Sequence, residues 1–164
     1  MSFIKQLYMK LLFITLLLFQ LLFSCKKYQP PEINCSLTNE IDSIKKFLPG
    51  TWVWLHEKRW NQREGKYEYL TPKTEGYSLT LKFDGNKAYY YKNNRPDSVY
   101  YYDVVRENTI PGTYPGDSLP VVIFYTMNTG LRYDHFPVRI CPSFMIMQYE
   151  FISSVVGDYT WRKQ

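Results

Sequence analysis

Two histidines, scattered carboxylates and sixteen tyrosines are the side chains of this 164-residue chain with chemistry to offer. His56 follows Trp52 and Trp54 at even spacing, so on a strand the three share a face. Trp54 and His56 would then line an interior, the imidazole as hydrogen-bond donor. The plainer expectation is a His half-buried at a strand end, and His135, beside Asp134, reads the same way. Glu57 and Glu64 flank a turn and read as solvated. There is no Gly-x-Ser-x-Gly, no phosphate-binding glycine loop and no supported Cys/His dyad. The expectation is a non-enzymatic protein with no catalytic residues and no cofactor. Without a C-x-x-C, and with the two His far apart, no metal site is expected either.

The tyrosines are the conspicuous feature. Tyr89-Tyr90-Tyr91 and Tyr100-Tyr101-Tyr102 fall on neighbouring strand candidates. Alternation along a strand sends members of each triplet to opposite faces. Flat aromatic surfaces stack on sugars and heterocycles or build protein interfaces, and they also serve as core and cross-strand pairs.

The amino terminus carries the most specific pattern. Lys5 and Lys10 precede a 13-residue, almost wholly apolar run over 11–23, broken only by Thr15 and Gln20. A spanning helix needs about 20 apolar residues, so residues 1–24 read as a secretory signal. Its removal lowers Lys+Arg from 20 to 18 against 15 Asp+Glu, leaving +3. That balance, with no long basic run, leaves no footprint for nucleic acid.

The run closes on Leu22-Phe23-Ser24-Cys25, which resembles the lipobox of bacterial lipoproteins, although Phe23 stands where a small residue is usual. The resemblance implies cleavage before Cys25, diacylglycerol on its thiol and acylation of the new amino terminus, with the lipid bilayer as a partner. Several acyl chains make such anchoring stable. Lys26-Lys27, in place of an acidic residue after the cysteine, implies by the same resemblance an outer-membrane protein facing the periplasm. An uncleaved signal anchor with an incidental cysteine is the alternative. With Cys25 acylated, Cys35 and Cys141 remain in an oxidising compartment, where an even pair suggests a disulfide; two unrelated thiols remain the other reading.

Residues 25–35 form a short Pro-containing tether, and 36–164 a single domain. Ile41, Ile44 and Leu48 recur at helical spacing, which predicts one short helix over 36–48, capped by Ser36 or Thr38 and stopped at Pro49-Gly50. Beyond it the chain reads as strands over 51–60, 77–83, 88–91, 99–105, 121–127, 131–140, 144–151 and 159–161. Asp84-Gly85-Asn86 and residues 93–97 form turns, and a Gly/Pro loop spans 108–120. No helix separates the strands, so the fold expected is all-β: an eight-stranded antiparallel meander closing into a barrel.

Gly50-Thr51-Trp52 after a short helix, Thr71-Pro72, Phe83-Asp84-Gly85 closing an alternating strand, Asn93-Asn94 and the ending Gly157-Asp158-Tyr159-Thr160-Trp161-Arg162 together resemble small bacterial lipocalin-like lipoproteins over residues 37–164. The resemblance implies that Arg162, late in the last strand, packs across Trp52 and closes the barrel base by cation–π attraction. A solvated terminal charge is the other reading of Arg162.

Asp42-Ser43-Ile44, Asp97-Ser98-Val99 and Asp117-Ser118-Leu119 repeat an Asp-Ser-apolar pattern. It resembles an O-glycosylation site of exported proteins in some Gram-negative bacteria, which would modify Ser43, Ser98 and Ser118; turn and cap chemistry accounts for it equally well. The leading expectation is a lipid-anchored envelope protein that binds a small apolar or aromatic ligand. The alternative is an interaction module docking an envelope protein or a glycan through its tyrosine strands. Chemistry in the barrel mouth ranks third, for want of a buried ionisable cluster. An integral outer-membrane barrel is disfavoured by Lys82, Lys92 and Arg106 in the strands.

Overall fold

The structure, a computed structural model, describes residues 28–107, 118–151 and 155–164. Cys25, Asp117 and most of the loop expected over 108–120 lie outside the described residues. Glu32–Gln164 forms one unit. In order it contains α1 (Ile41–Phe47), β1 (Gly50–Asn61), β2 (Lys66–Leu70), α2 (Pro72–Glu75), β3 (Leu79–Asp84), β4 (Lys87–Lys92), β5 (Arg95–Glu107), β6 (Leu119–Thr126), β7 (Arg132–Ile140), β8 (Phe144–Phe151) and β9 (Val155–Lys163).

All pairings are antiparallel. β3 through β9 follow one another as a meander, and β1 pairs with both β3 and β9, which closes eight strands into a barrel. β2 is a ninth strand that the sequence reading omits. β1 is long enough to be shared: Gly50 to Val53 pair with β3, and Glu57 to Asn61 pair with β2. The short α2 bridges the two partners. Thr71 and Thr74 exchange backbone-to-hydroxyl hydrogen bonds at its start, and Pro72 supplies a preset φ in the first turn.

α1 is shorter than expected, seven residues instead of thirteen. Thr38 is committed elsewhere: its N–H and C=O bond the backbone of Ile140 at 2.8 and 3.0 Å, so the helix starts only after Glu40. A disulfide joins Cys35 to Cys141, the residue after Ile140, with Cα atoms 6.2 Å apart. The segment before α1 is therefore fastened to one end of the barrel. At that end Ile44 and Leu48 are fully buried, and the Trp52 indole N–H donates to the Leu48 carbonyl at 2.7 Å. Trp52, Leu81, Phe83, Ala88, Val104, Val122, Ile140 and Met145, each at most 3% exposed, fill the barrel above them. Each large side chain so buried contributes about 1.5–3 kcal/mol. This end is the closed base.

The rung that closes the base differs from expectation by one residue. Trp52 stands opposite Lys163, while Arg162 stands opposite Val53 and is exposed. Alternation along β9 sends Arg162 outward and Lys163 inward. Lys163 Nζ lies 5.2 Å from the Trp52 ring and donates to the Phe47 carbonyl at 2.7 Å. Its stem crosses Gly50 so closely that a Cβ there would lie 2.9 Å from Lys163 Cε. The cation at the barrel base is Lys163.

Candidate functional site

At the other end the inward-facing side chains change character. Trp54 and Trp161 face each other across the β1–β9 rung, and Met145 continues that rung on β8. Both indoles are 1% exposed. Above them the inward positions are tyrosines that remain partly exposed: Tyr77, Tyr90, Tyr100, Tyr149 and Tyr159. Tyr77 stacks on Trp54 with centroids 5.7 Å apart, and Tyr90 meets Trp161 edge-on at 6.2 Å. Tyr100 stacks at 4.7 Å on Tyr133, which is 61% exposed at the rim. Tyrosines thus wall the barrel at the end away from the base, a tyrosine-walled cup in its lining, and the two indoles lie buried beneath them.

The floor has an unusual property. Neither Trp54 Nε1 nor Trp161 Nε1, though buried, has a hydrogen-bond partner among the described residues. Leaving a buried donor unpaired costs about 1–3 kcal/mol. Trp52, by contrast, is satisfied by Leu48.

One wall of the cup is ionisable. The register of β1 against β9 slips between Trp54 and His56, leaving Leu55 as an extra residue. A bulge of this kind inverts the alternation beyond it. His56, opposite the outward Thr160, therefore points outside the barrel, and Glu57, opposite the inward Tyr159, points inside. This corrects two expectations together. His56 does not line the interior: it is buried in the outer wall, edge-on to Tyr69 at 5.2 Å. Burial pushes its pKa down to about 4, partly countered by Asp158. Glu57 is buried at 8% exposure and accepts a hydrogen bond from the Tyr149 hydroxyl. Only Glu64 of that carboxylate pair is solvated, beside Lys66.

Tyr149 lies directly over Gly157 on β9, where any Cβ would collide with its ring. The glycine is what lets the tyrosine reach Glu57. Burial, and then its bond to Glu57, raise the pKa of Tyr149, and burial raises those of Tyr159 and Tyr90. Tyr90, Tyr149 and Tyr159 are therefore neutral at physiological pH. Nearer the rim, Arg59 bonds Glu68, which also accepts from Asn61 Nδ2 at 3.1 Å. The Glu57–Tyr149 contact is invisible to spacing rules, because it depends on the bulge at Leu55.

The other sequence candidates lie elsewhere. His135 faces outward on β7, with Nε2 3.9 Å from a Glu107 carboxylate that Arg132 holds at 2.7 and 2.8 Å. Tyr89, Tyr91, Tyr101 and Tyr125 form an outward stripe across β4, β5 and β6. Ser43 lies in α1, Ser98 in β5 donates to Asp97 at 3.1 Å, and the Ser118 carbonyl accepts from Arg106 at 3.2 Å. Among the described residues no group of three or more His, Cys, Asp or Glu is placed to hold a metal ion.

No family model, no curated protein and no solved structure matches this chain.

Proposed function

We propose that this chain is a lipocalin-like envelope lipoprotein, anchored through acylated Cys25, that carries no enzymatic activity and binds a small apolar or aromatic ligand in its barrel. The observation that carries the reading is the contrast between the two ends of the interior. The base is packed solid with aliphatic and aromatic side chains, whereas the opposite half presents partly exposed tyrosines above two unpartnered indole donors. A concave aromatic wall with a few polar groups is the usual makeup of a small-molecule site. The chain reaches the domain at the closed base, through Cys35–Cys141 and the Thr38–Ile140 bridge. An acyl anchor upstream of that point would leave the mouth at the end remote from the attachment. The outer membrane, periplasmic side, is the location that Lys26-Lys27 favours.

Equilibrium dialysis tests the reading. The mature protein in detergent micelles is dialysed against empty micelles of the same detergent, with naphthalene as the apolar aromatic probe. Saturable excess of probe on the protein side, lost in Tyr90→Asp, supports interior binding; no excess at any concentration rejects it.

A second reading rests on the outward stripe Tyr89, Tyr91, Tyr101 and Tyr125. It makes the same barrel an interaction module for an envelope protein or a glycan. Substitution of Tyr101 and Tyr125 by Ser would abolish that docking and leave probe uptake unchanged.

A further inference from the structure

The two ends of the barrel differ in charge as well as in packing. Around the closed base stand Lys45 and Lys46 in the last turn of α1, Lys87 at the start of β4, Arg139 on β7 and Arg162 near the end of β9. The pairing puts them at one end. Lys87 follows the turn after Phe83, which stands opposite Gly50; Arg139 precedes Ile140, which is bridged to Thr38; Arg162 stands opposite Val53 and Phe144. Lys45, Lys46, Arg139 and Arg162 are exposed, and none of the five takes part in an ion pair among the described residues. The neighbouring carboxylates of Asp84 and Glu40 are engaged by Lys82 at 3.1 Å and Arg106 at 3.4 Å. Asp42 and the carboxylate of Gln164 oppose the five, so this end stays cationic.

Between the cations the base exposes Pro49 and Pro142, and Phe47 is half-buried with Lys46 Nζ 5.7 Å from its ring. A lysine whose stem lies along apolar surface still offers its ammonium outward. The mouth is balanced by comparison: Arg59 pairs with Glu68 and Lys66 with Glu64, and Glu57 and Asp97 stand among the cations there. Such an asymmetry directs one end of a molecule towards an anionic partner.

The tether says which partner. The chain enters the domain at this same end, through Cys35–Cys141 and the Thr38–Ile140 bridge. Cys25 lies ten residues before Cys35, which spans at most about 35 Å when fully extended. An acyl group on Cys25 therefore keeps the base within that reach of a bilayer surface. Cations spread round a blunt end fit an extended anionic surface better than one small anion.

We propose that the closed base is a docking face for anionic phospholipid headgroups, which holds the mouth pointed away from the bilayer. The proposal rests on the anchored-lipoprotein reading, since the anchor brings the bilayer within reach. The attraction is electrostatic: each Lys or Arg near an anionic surface strengthens it about fivefold, and it fades within a Debye length.

Lysine footprinting tests it. The mature protein is reconstituted on vesicles of phosphatidylcholine alone, or of phosphatidylcholine and phosphatidylglycerol in equal parts. It is then acetylated briefly with a neutral N-hydroxysuccinimide ester, and peptide mass spectrometry reads each lysine. Lys45, Lys46 and Lys87 should react at least about threefold more slowly on the anionic vesicles, from proton enrichment at such a surface alone. Lys66 and Lys92, at the mouth, should react alike on both. High salt should abolish the difference. The triple variant Lys45→Gln, Lys46→Gln, Arg162→Gln should lose the protection of Lys87. Equal rates on both vesicles, with the protein bound to them, overturn the docking face and leave the anchor intact, as does protection of Lys87 that survives in the triple variant. Protection of the base lysines that is the same on both vesicles and grows with protein concentration assigns the face to a second copy of this chain and also overturns it. Recovery of the protein with neither vesicle rejects the anchor, and the proposal with it; recovery with the anionic vesicles alone supports the docking face and rejects the anchor. Should the variant not fold, the wild-type comparison decides alone.

Discussion

Lys163 Nζ stands 5.2 Å from the centre of the Trp52 indole, on the rung where the first and last strands meet. The same ammonium donates to the carbonyl of Phe47, at the end of α1. One side chain thus joins helix, first strand and last strand at the closed base, while its neighbour Arg162 points to solvent. Lys163→Ala should lower stability by about 1–2 kcal/mol, given about 0.5–2 kcal/mol for a cation over an aromatic face. Arg162→Ala should stay within about 0.5 kcal/mol, as surface substitutions do. Urea unfolding of both variants measures the difference; a larger loss for Arg162→Ala would return the closing role to it.

His56 makes stability depend on pH. Its folded pKa of about 4 lies below the model-peptide value of 6.5 because burial disfavours the imidazolium. Between those values the unfolded chain binds a proton that the folded chain does not, so stability rises with pH across that window. The contribution is complete above about pH 6.5 and is lost progressively as pH falls towards 4, to a limit of about 3 kcal/mol. Denaturant midpoints from pH 4 to 7 should show this slope, and His56→Phe should flatten it. An unchanged slope in the variant would assign the acid sensitivity elsewhere.

The disulfide fastens the segment before α1 to the base across a separation of 106 residues. For a loop of that length, chain entropy allows up to about 4–5 kcal/mol. Reduction, or the double change Cys35→Ser with Cys141→Ser, should lower the unfolding midpoint without abolishing the barrel. Non-reducing peptide mapping of protein purified without reductant should recover the two cysteines in one joined fragment; free thiols at both positions would refute the bond.

The anchor is tested by intact mass. The wild type should lack residues 1–24 and carry acyl additions on Cys25, and Cys25→Ala should be soluble in the periplasm or retained as precursor. An unmodified Cys25 in the membrane fraction contradicts lipidation.

What could be read from sequence, and what could not, has a consistent physical cause. Strict alternation at Leu79, Leu81 and Phe83, and punctuation such as Asn93-Asn94, whose φ values of 52° and 60° suit a tight hairpin, made the β3–β5 meander legible. The closure of first strand on last followed from strand count and order. Lys66-Tyr67-Glu68-Tyr69-Leu70 carries little strand signal, because its first two residues are exposed and it pairs only with the far half of β1. Even spacing from Trp52 and Trp54 points His56 inward and leaves Glu57 a solvated residue; the bulge at Leu55, which reverses both, has no sequence mark. The resemblance points to Arg162 where the structure has Lys163, and one position on a strand exchanges inside for outside. Trp54 is buried on the same inner face as Trp52, as even spacing predicts, whereas its partner Trp161 emerges only from three-dimensional pairing.

The central claim, that the tyrosine-walled cup above Trp54 and Trp161 receives a ligand, can be read at the donors themselves. In a 1H–15N spectrum of the uniformly labelled protein, the four indole N–H signals report on four sites. The claim predicts that saturating naphthalene shifts the signals of Trp54 and Trp161 and leaves that of Trp52, held by the Leu48 carbonyl, unmoved. Unmoved Trp54 and Trp161 signals at saturation, or a shift confined to Trp60, would contradict it.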